Sequence, residues 1–107
     1  MTNYNRGRAF EYKVRDLFRE SGYYVIRSAG SKGIADLVAI KNESGWSMNE
    51  TCFIQCKKSG KLNRIEKKDM IDLCSKLAVT PILARYKEKK IELIELRENE
   101  EILYTVD

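Results

Sequence analysis

The sequence predicts a single α/β domain over residues 1–107, a central sheet flanked by helices. Three observations carry this. Two stretches repeat apolar residues at helical spacing, β-branched and aromatic runs lie between and after them, and no linker or internal repeat divides the 107 residues. The order reads α-β-β-β-α-β-β, with residues 91–107 open between strands and a continued helix.

Residues 5–21 form the first predicted helix, because Phe10, Val14, Leu17 and Phe18 recur on one face and Gly22 supplies a stop. At about 100° per residue, Glu11 falls roughly 20° from Phe18, on the margin of the apolar stripe. It can reach a sheet edge beneath the helix, or pair with Arg8, Lys13 or Arg15 on the surface. Tyr23–Arg27 follows as a strand. The Ser28–Gly33 loop, with Gly30 and Gly33, can either cradle a phosphate through its N–H groups or serve as a plain turn.

Ala35–Lys41 is apolar on both faces after Asp36, so a central, doubly covered strand is expected, with a carboxylate at its mouth. Asn42–Asn49 reads as a surface turn, with Trp46 and Met48 over the hairpin or against a partner. In the next strand Cys52, Ile54 and Cys56 face one way and Gln55 and Lys57 the other. A second helix is expected from about Asn63 to Ala78. Asn63 and Glu66 have the spacing of a capping box, and Met70, Leu73, Cys74, Leu77 and Ala78 form its apolar stripe. Pro81 suits a strand start, Lys87–Lys90 reads as a charged hairpin turn between Ile82–Tyr86 and Ile91–Arg97, and Ile102–Val106 as an edge strand.

Composition narrows the chemistry. Charged residues make up 34% and the net charge is +4, a balance that favours a polyanionic partner such as nucleic acid. The absence of histidine excludes imidazole catalysis and histidine-ligated metal. Cys52, Cys56 and Cys74 show no CxxC spacing and an odd count, so they read as small buried hydrophobes in a reducing compartment. No run is long enough to span a bilayer and the start is polar and basic, so a cytoplasmic protein free of membranes is expected.

If the strand opening at Asp36 pairs with the strand carrying Gln55 and Lys57, a carboxylate, an amide oxygen and an ammonium converge at one end of a sheet. Magnesium takes hard oxygen ligands, and a neighbouring lysine can position an attacking water. Such a set can hydrolyse a phosphodiester. The basic run Lys57, Lys58, Lys61, Arg64, Lys67 and Lys68 leads away from it. The first three suit phosphate contact, and Glu66 and Asp69 among the rest suit a solvated face.

On RGRAFEYKVRDLFRESGYYVIRSAGSKGIADLVAI and FIQCK, the chain resembles the archaeal Holliday junction resolvases within the PD-(D/E)xK nuclease superfamily, over about residues 6–86. The resemblance implies a restriction-endonuclease-like fold with a mixed sheet. It also implies a structure-specific endonuclease of DNA recombination and repair that resolves four-way junctions with magnesium, manganese substituting. Carried over, Glu11 and Asp36 are metal carboxylates, Gln55 and the Cys56 carbonyl complete the metal shell, and Lys57 attends the attacking water. Ser31, or less readily Ser28, matches the mobile-loop serine. Arg6, Arg8, Arg27, Lys32, Lys58 and Lys61 are implied DNA contacts. A homodimer is implied because a twofold axis would match the four-way junction.

Gln55 departs from the family pattern, which has glutamate there; the amide brings an oxygen without charge, so weaker magnesium binding is expected. Two alternatives stand beside the leading reading. One is an Mrr-like endonuclease acting on ordinary duplexes, and the other a DNA-binding module that kept the nuclease fold and lost turnover.

Overall fold

The computed structural model describes residues 3–28, 34–42 and 49–106, with side chains of the first helix from Gly7 onward. Helix α1 spans Asn3–Glu20. It ends through Gly22, whose φ of 92° lets the Tyr23 N–H reach the Phe18 carbonyl at 3.1 Å and the Gly22 N–H reach Arg19 at 3.0 Å. The chain then turns directly into β1 (Tyr24–Arg27).

Strands β2 (Leu37–Asn42), β3 (Asn49–Cys56), β4 (Thr80–Lys87), β5 (Lys90–Leu96) and β6 (Glu101–Leu103) complete a six-stranded sheet in the order β1-β2-β3-β4-β5-β6. All neighbours are antiparallel except β3 and β4. That parallel pair requires a crossover, supplied by α2 (Arg64–Leu77). The sheet is therefore mixed, as expected, and residues 91–106 choose strands over a helix.

Both faces of the sheet carry a core. Phe10, Val14 and Phe18 of α1 pack on Val25, Leu37, Ala39, Cys52, Ile54, Ile82 and Ala84. Met70 and Cys74 of α2 pack on Leu83, Ile94 and Leu96. Cys52, Cys56 and Cys74 are free thiols; burial pushes Cys52 and Cys74 each up to about 11 and Cys56 higher, so they behave as small apolar groups.

Asn63 caps α2 as its spacing predicts: its side chain accepts the Glu66 N–H at 2.8 Å, and Glu66 returns to the Asn63 N–H at 3.5 Å. The predicted apolar stripe is corrected at its far end. Leu77 is 52% exposed and Ala78 is exposed, whereas Ile71 joins the core with Met70 and Cys74. The helix is rotated toward Ile71, and Ala78 ends it in the left-handed region at φ 56°.

The expectation for Ala35–Lys41 is also corrected. The strand begins at Leu37 and is second from the sheet edge; the middle of the sheet is β3 and β4. Leu37 and Ala39 are fully buried under α1, but Val38 and Ile40 are half-buried, because α2 sits over β4 and leaves that part of the other face open. Asn42 pairs with Asn49, so β2 and β3 form the expected hairpin; Trp46 and Met48 lie outside the described residues.

Candidate active site

The end of the sheet where β2 begins and β3 stops gathers most of the chemistry. Leu37 pairs with Ile54, and the Asp36 N–H donates to the Ile54 carbonyl at 2.9 Å, so Asp36 sits beside Gln55 at the mouth of the hairpin. Ser28 donates its N–H to the Asp36 carbonyl at 2.8 Å, closing the base of the intervening loop. Ser31 and Lys32 fall in that loop, outside the described residues.

Asp36 is the one polar residue among the described core positions. Its Oδ2 accepts the Cys56 N–H at 2.8 Å. Burial raises its carboxyl above the usual range, and the Cys56 N–H, Lys57 and Arg27 oppose that rise. A buried carboxylate whose one described hydrogen bond leaves lone pairs open is stabilised in its charged form by a cation placed against it.

Glu11 reaches the sheet, as its helical angle allows. Its Oε1 accepts from Arg27 Nε at 2.9 Å, with side chains 17% and 26% exposed. This partner comes from β1, not from the neighbouring turns of α1. The fields of Asp36 and Glu11 both reach Cys56, adding to the burial that raises its thiol. The Cys56 thiol therefore stays protonated and is not available as a thiolate.

Gln55 is half-buried and shares its strand face with Lys57. The Lys57 N–H donates to Ala84 at 2.9 Å, continuing the β3–β4 pairing, and its ammonium lies 3.7 Å from Glu66 of α2. Lys58 and Lys61 are exposed on the following turn. That turn closes through a Gly60 N–H bond to the Lys57 carbonyl at 2.8 Å, with Gly60 at φ 76°. A Cβ at Gly60 would stand 2.6 Å from Arg85 Cδ, so only glycine lets the turn settle on the Arg85 stem.

Thus the fold brings Asp36, Cys56, Lys57 and Arg27 together, and Glu11 joins through Arg27. Arg8 is half-buried on α1; the Arg6 side chain lies outside the described residues. Among the described residues, no three acidic, cysteine or histidine side chains form a metal-holding group. The oxygen set nevertheless fits a hard divalent cation: one buried carboxylate, an amide oxygen, a carbonyl and a second carboxylate held by an arginine.

Sequence reasoning missed three residues around this site. Glu66 reads as a cap and also faces Lys57. Tyr12, beside Glu11, lies under the Arg27 guanidinium at 5.5 Å. Arg85 is fixed by Glu92 at 2.6 Å and carries the Gly60 turn. Only Glu66 carried a local signal; the others follow from sheet registry.

Comparison with known proteins gives a consistent picture. The family model described as archaeal Holliday junction resolvase (hjc) matches residues 2–107. The chain is 38% identical over 73 residues to the crossover junction endodeoxyribonuclease Hjc of Methanocaldococcus jannaschii, covering 67% of this chain and 50% of that protein. It thus spans half the length of that relative. The solved structure of Archaeoglobus fulgidus Hjc, a Holliday junction resolvase, superposes with a TM-score of 0.60 at 15% identity, covering 92% of this chain and 81% of that one.

Proposed function

The chain belongs to the archaeal Holliday junction resolvase family, and from that membership we propose that it is a structure-specific DNA endonuclease that resolves four-way junctions by magnesium-dependent phosphodiester hydrolysis. The observation that carries this reading is Asp36, a buried carboxylate at the mouth of β2, bonded to the Cys56 N–H and within the fields of Lys57 and Arg27.

In this reading Asp36, Glu11, the Gln55 amide oxygen and the Cys56 carbonyl hold magnesium, with manganese able to replace it. The bound ion would supply a Lewis acid that lowers the pKa of water and offsets phosphate charge. Lys57 orients the attacking water and stabilises charge developing on the phosphoryl oxygens. Ser31 of the β1–β2 loop assists at the scissile phosphate. Arg27 binds that phosphate, while Arg6, Arg8, Lys32, Lys58 and Lys61 track the flanking backbone, so binding should weaken steeply with salt.

A homodimer follows from the same reading, since two sites related by a twofold axis match a four-way junction. The uncovered face of β1 and β2 supports it: Tyr24 is 70% and Ile26 47% exposed, and they stand opposite the half-buried Ile40 and Val38. No helix among the described residues is long and apolar enough to cross a membrane, and in this reading the protein works on DNA in the cytoplasm.

The test incubates the protein with labelled four-way junctions and matched linear duplex, with and without magnesium. Paired symmetric nicks on the junction alone are expected, and cuts on both substrates would favour an Mrr-like nuclease. One observation supports a second reading, a binding module with weak turnover: Gln55 leaves the site without a third carboxylate among the described residues. Tight junction binding without cuts at any magnesium concentration would select it.

A further inference from the structure

Two consecutive residues of α1 hold the same arginine by different means. Glu11 takes Arg27 Nε at 2.9 Å, and the Tyr12 ring lies 5.5 Å from the guanidinium carbon. Arg15 approaches that ring at 4.7 Å and pairs with Asp16 at 2.9 Å. Tyr12 is 37% exposed, so the ring stands at the surface beside a partly buried pair.

This arrangement sets a conflict within the reading above, on which the inference rests. While Arg27 Nε is bonded to Glu11, that N–H does not serve a phosphate, and the guanidinium charge lies against the carboxylate that a cation would use. Gln55 sharpens the conflict, because it contributes no charge and leaves Glu11 as the second carboxylate for a divalent ion. The free protein, in turn, gains from the pair: a carboxylate left bare on the DNA side would repel the backbone.

We propose that Arg27 exchanges between two positions, paired with Glu11 in the free protein and turned to a DNA phosphate when Glu11 is drawn to magnesium, with Tyr12 as the positioning residue. The ring face attracts the guanidinium in either position, so the arginine swings without being released to solvent. Magnesium and DNA then favour each other's binding, since each takes one partner of the pair.

The experiment follows the arginine Nε–Hε and backbone amide signals of the full chain by NMR while magnesium is added without DNA. Expected are shifts of the Asp36 and Cys56 amides. Over the same concentrations the Arg27 Nε–Hε signal should move, and its exchange with water should quicken about tenfold, the scale of losing a charge-assisted bond. Glu11→Gln should show the rapid exchange before magnesium is added. Shifts at Asp36 and Cys56 with a stationary Arg27 signal would overturn the exchange while leaving the metal site intact. No shift at any of them under saturating magnesium would overturn the metal site and the exchange together. For Tyr12, junction affinity by fluorescence anisotropy in magnesium should fall about threefold in Tyr12→Leu and hold in Tyr12→Phe. Equal loss in both variants, or none in either, would overturn the role of the ring.

Discussion

The two ends of the β2–β3 hairpin each carry a carboxylate out of bulk water and treat it in opposite ways. Asp36 has the Cys56 N–H and the fields of Lys57 and Arg27. Glu50, which pairs with Lys41 about 17 Å along the strand, is clamped by two phenols. Tyr23 donates to its Oε2 at 3.2 Å and Tyr104 donates to its Oε1; the two hydroxyls lie 3.1 Å apart, and Cys52 Sγ lies 3.4 Å from Tyr104. Neutral donors spend the lone pairs of Glu50 inside the protein. Cationic neighbours leave Asp36 with charge and coordination capacity to offer.

The closed end also holds the segment that follows β6. Tyr104 reaches that end from beyond β6, and Ser21 after α1 donates to the Val106 carbonyl at 3.1 Å. One end of the sheet is thereby anchored by polar bonds that bring β1, β3 and the C-terminal segment together. The other holds its charged groups in ion pairs, Glu11 with Arg27 and Lys57 with Glu66.

The largest effect that would break this contrast is at Asp36. Asp36→Asn should lower junction cleavage by at least about a hundredfold, with the fold intact by circular dichroism. Activity within a few fold of the parent would remove Asp36 from the chemistry.

At the other end, Tyr104→Phe should cost about 1–2 kcal/mol of unfolding free energy in urea, because Glu50 loses a donor in a shielded place. Cleavage per folded molecule should hold. A large loss of activity with unchanged stability would mean the two ends are not separate in function.

Gln55→Glu sharpens the site end. A third negative ligand should lower the midpoint of the magnesium titration of cleavage several-fold. An unmoved midpoint would take Gln55 out of the metal shell.

The smallest effects come with pH, and they share a sign but fall in different windows at the two ends. Asp36 is raised in the folded protein, chiefly by burial, so its contribution to stability is greatest when it is protonated and is lost as pH rises through its folded value. Asp36→Asn should therefore melt about 3 °C higher than the parent at pH 7, the two converging in acid. Tyr23 is raised from 10.0 to about 12, chiefly by burial. Its contribution is full below pH 10 and is lost between there and about 12, where the unfolded phenol ionises and the folded one does not. Tyr23→Phe should flatten the fall in melting temperature over that window; an unchanged slope would show that Tyr23 does not govern it.

Much of the fold was legible because its signals are local. The helix stop at Gly22, the Asn63–Glu66 box and the alternation through Cys52, Ile54 and Cys56 each depend on neighbours a few residues away. The β4–β5 turn is a partial exception: Glu88 and Lys89 take positive φ values of 53° and 65° without glycine or asparagine, so position between strands predicted the turn where residue type did not. Leu77 and the open faces of Val38 and Ile40 were misplaced because helical spacing gives a stripe but not where the neighbouring layer ends.

For the site, the sequence by itself determined which chemical groups were available: carboxylates at 11 and 36, an amide at 55, an ammonium at 57, and no imidazole. Strand periodicity further fixed that Gln55 and Lys57 share a face. Only the tertiary structure decided who partners whom, since Glu11 with Arg27, Lys57 with Glu66 and Glu50 with Tyr23 and Tyr104 join residues from separate elements. Such pairings depend on strand register and on the angle at which helices settle on the sheet, and these are properties of packing that no short stretch of chain encodes.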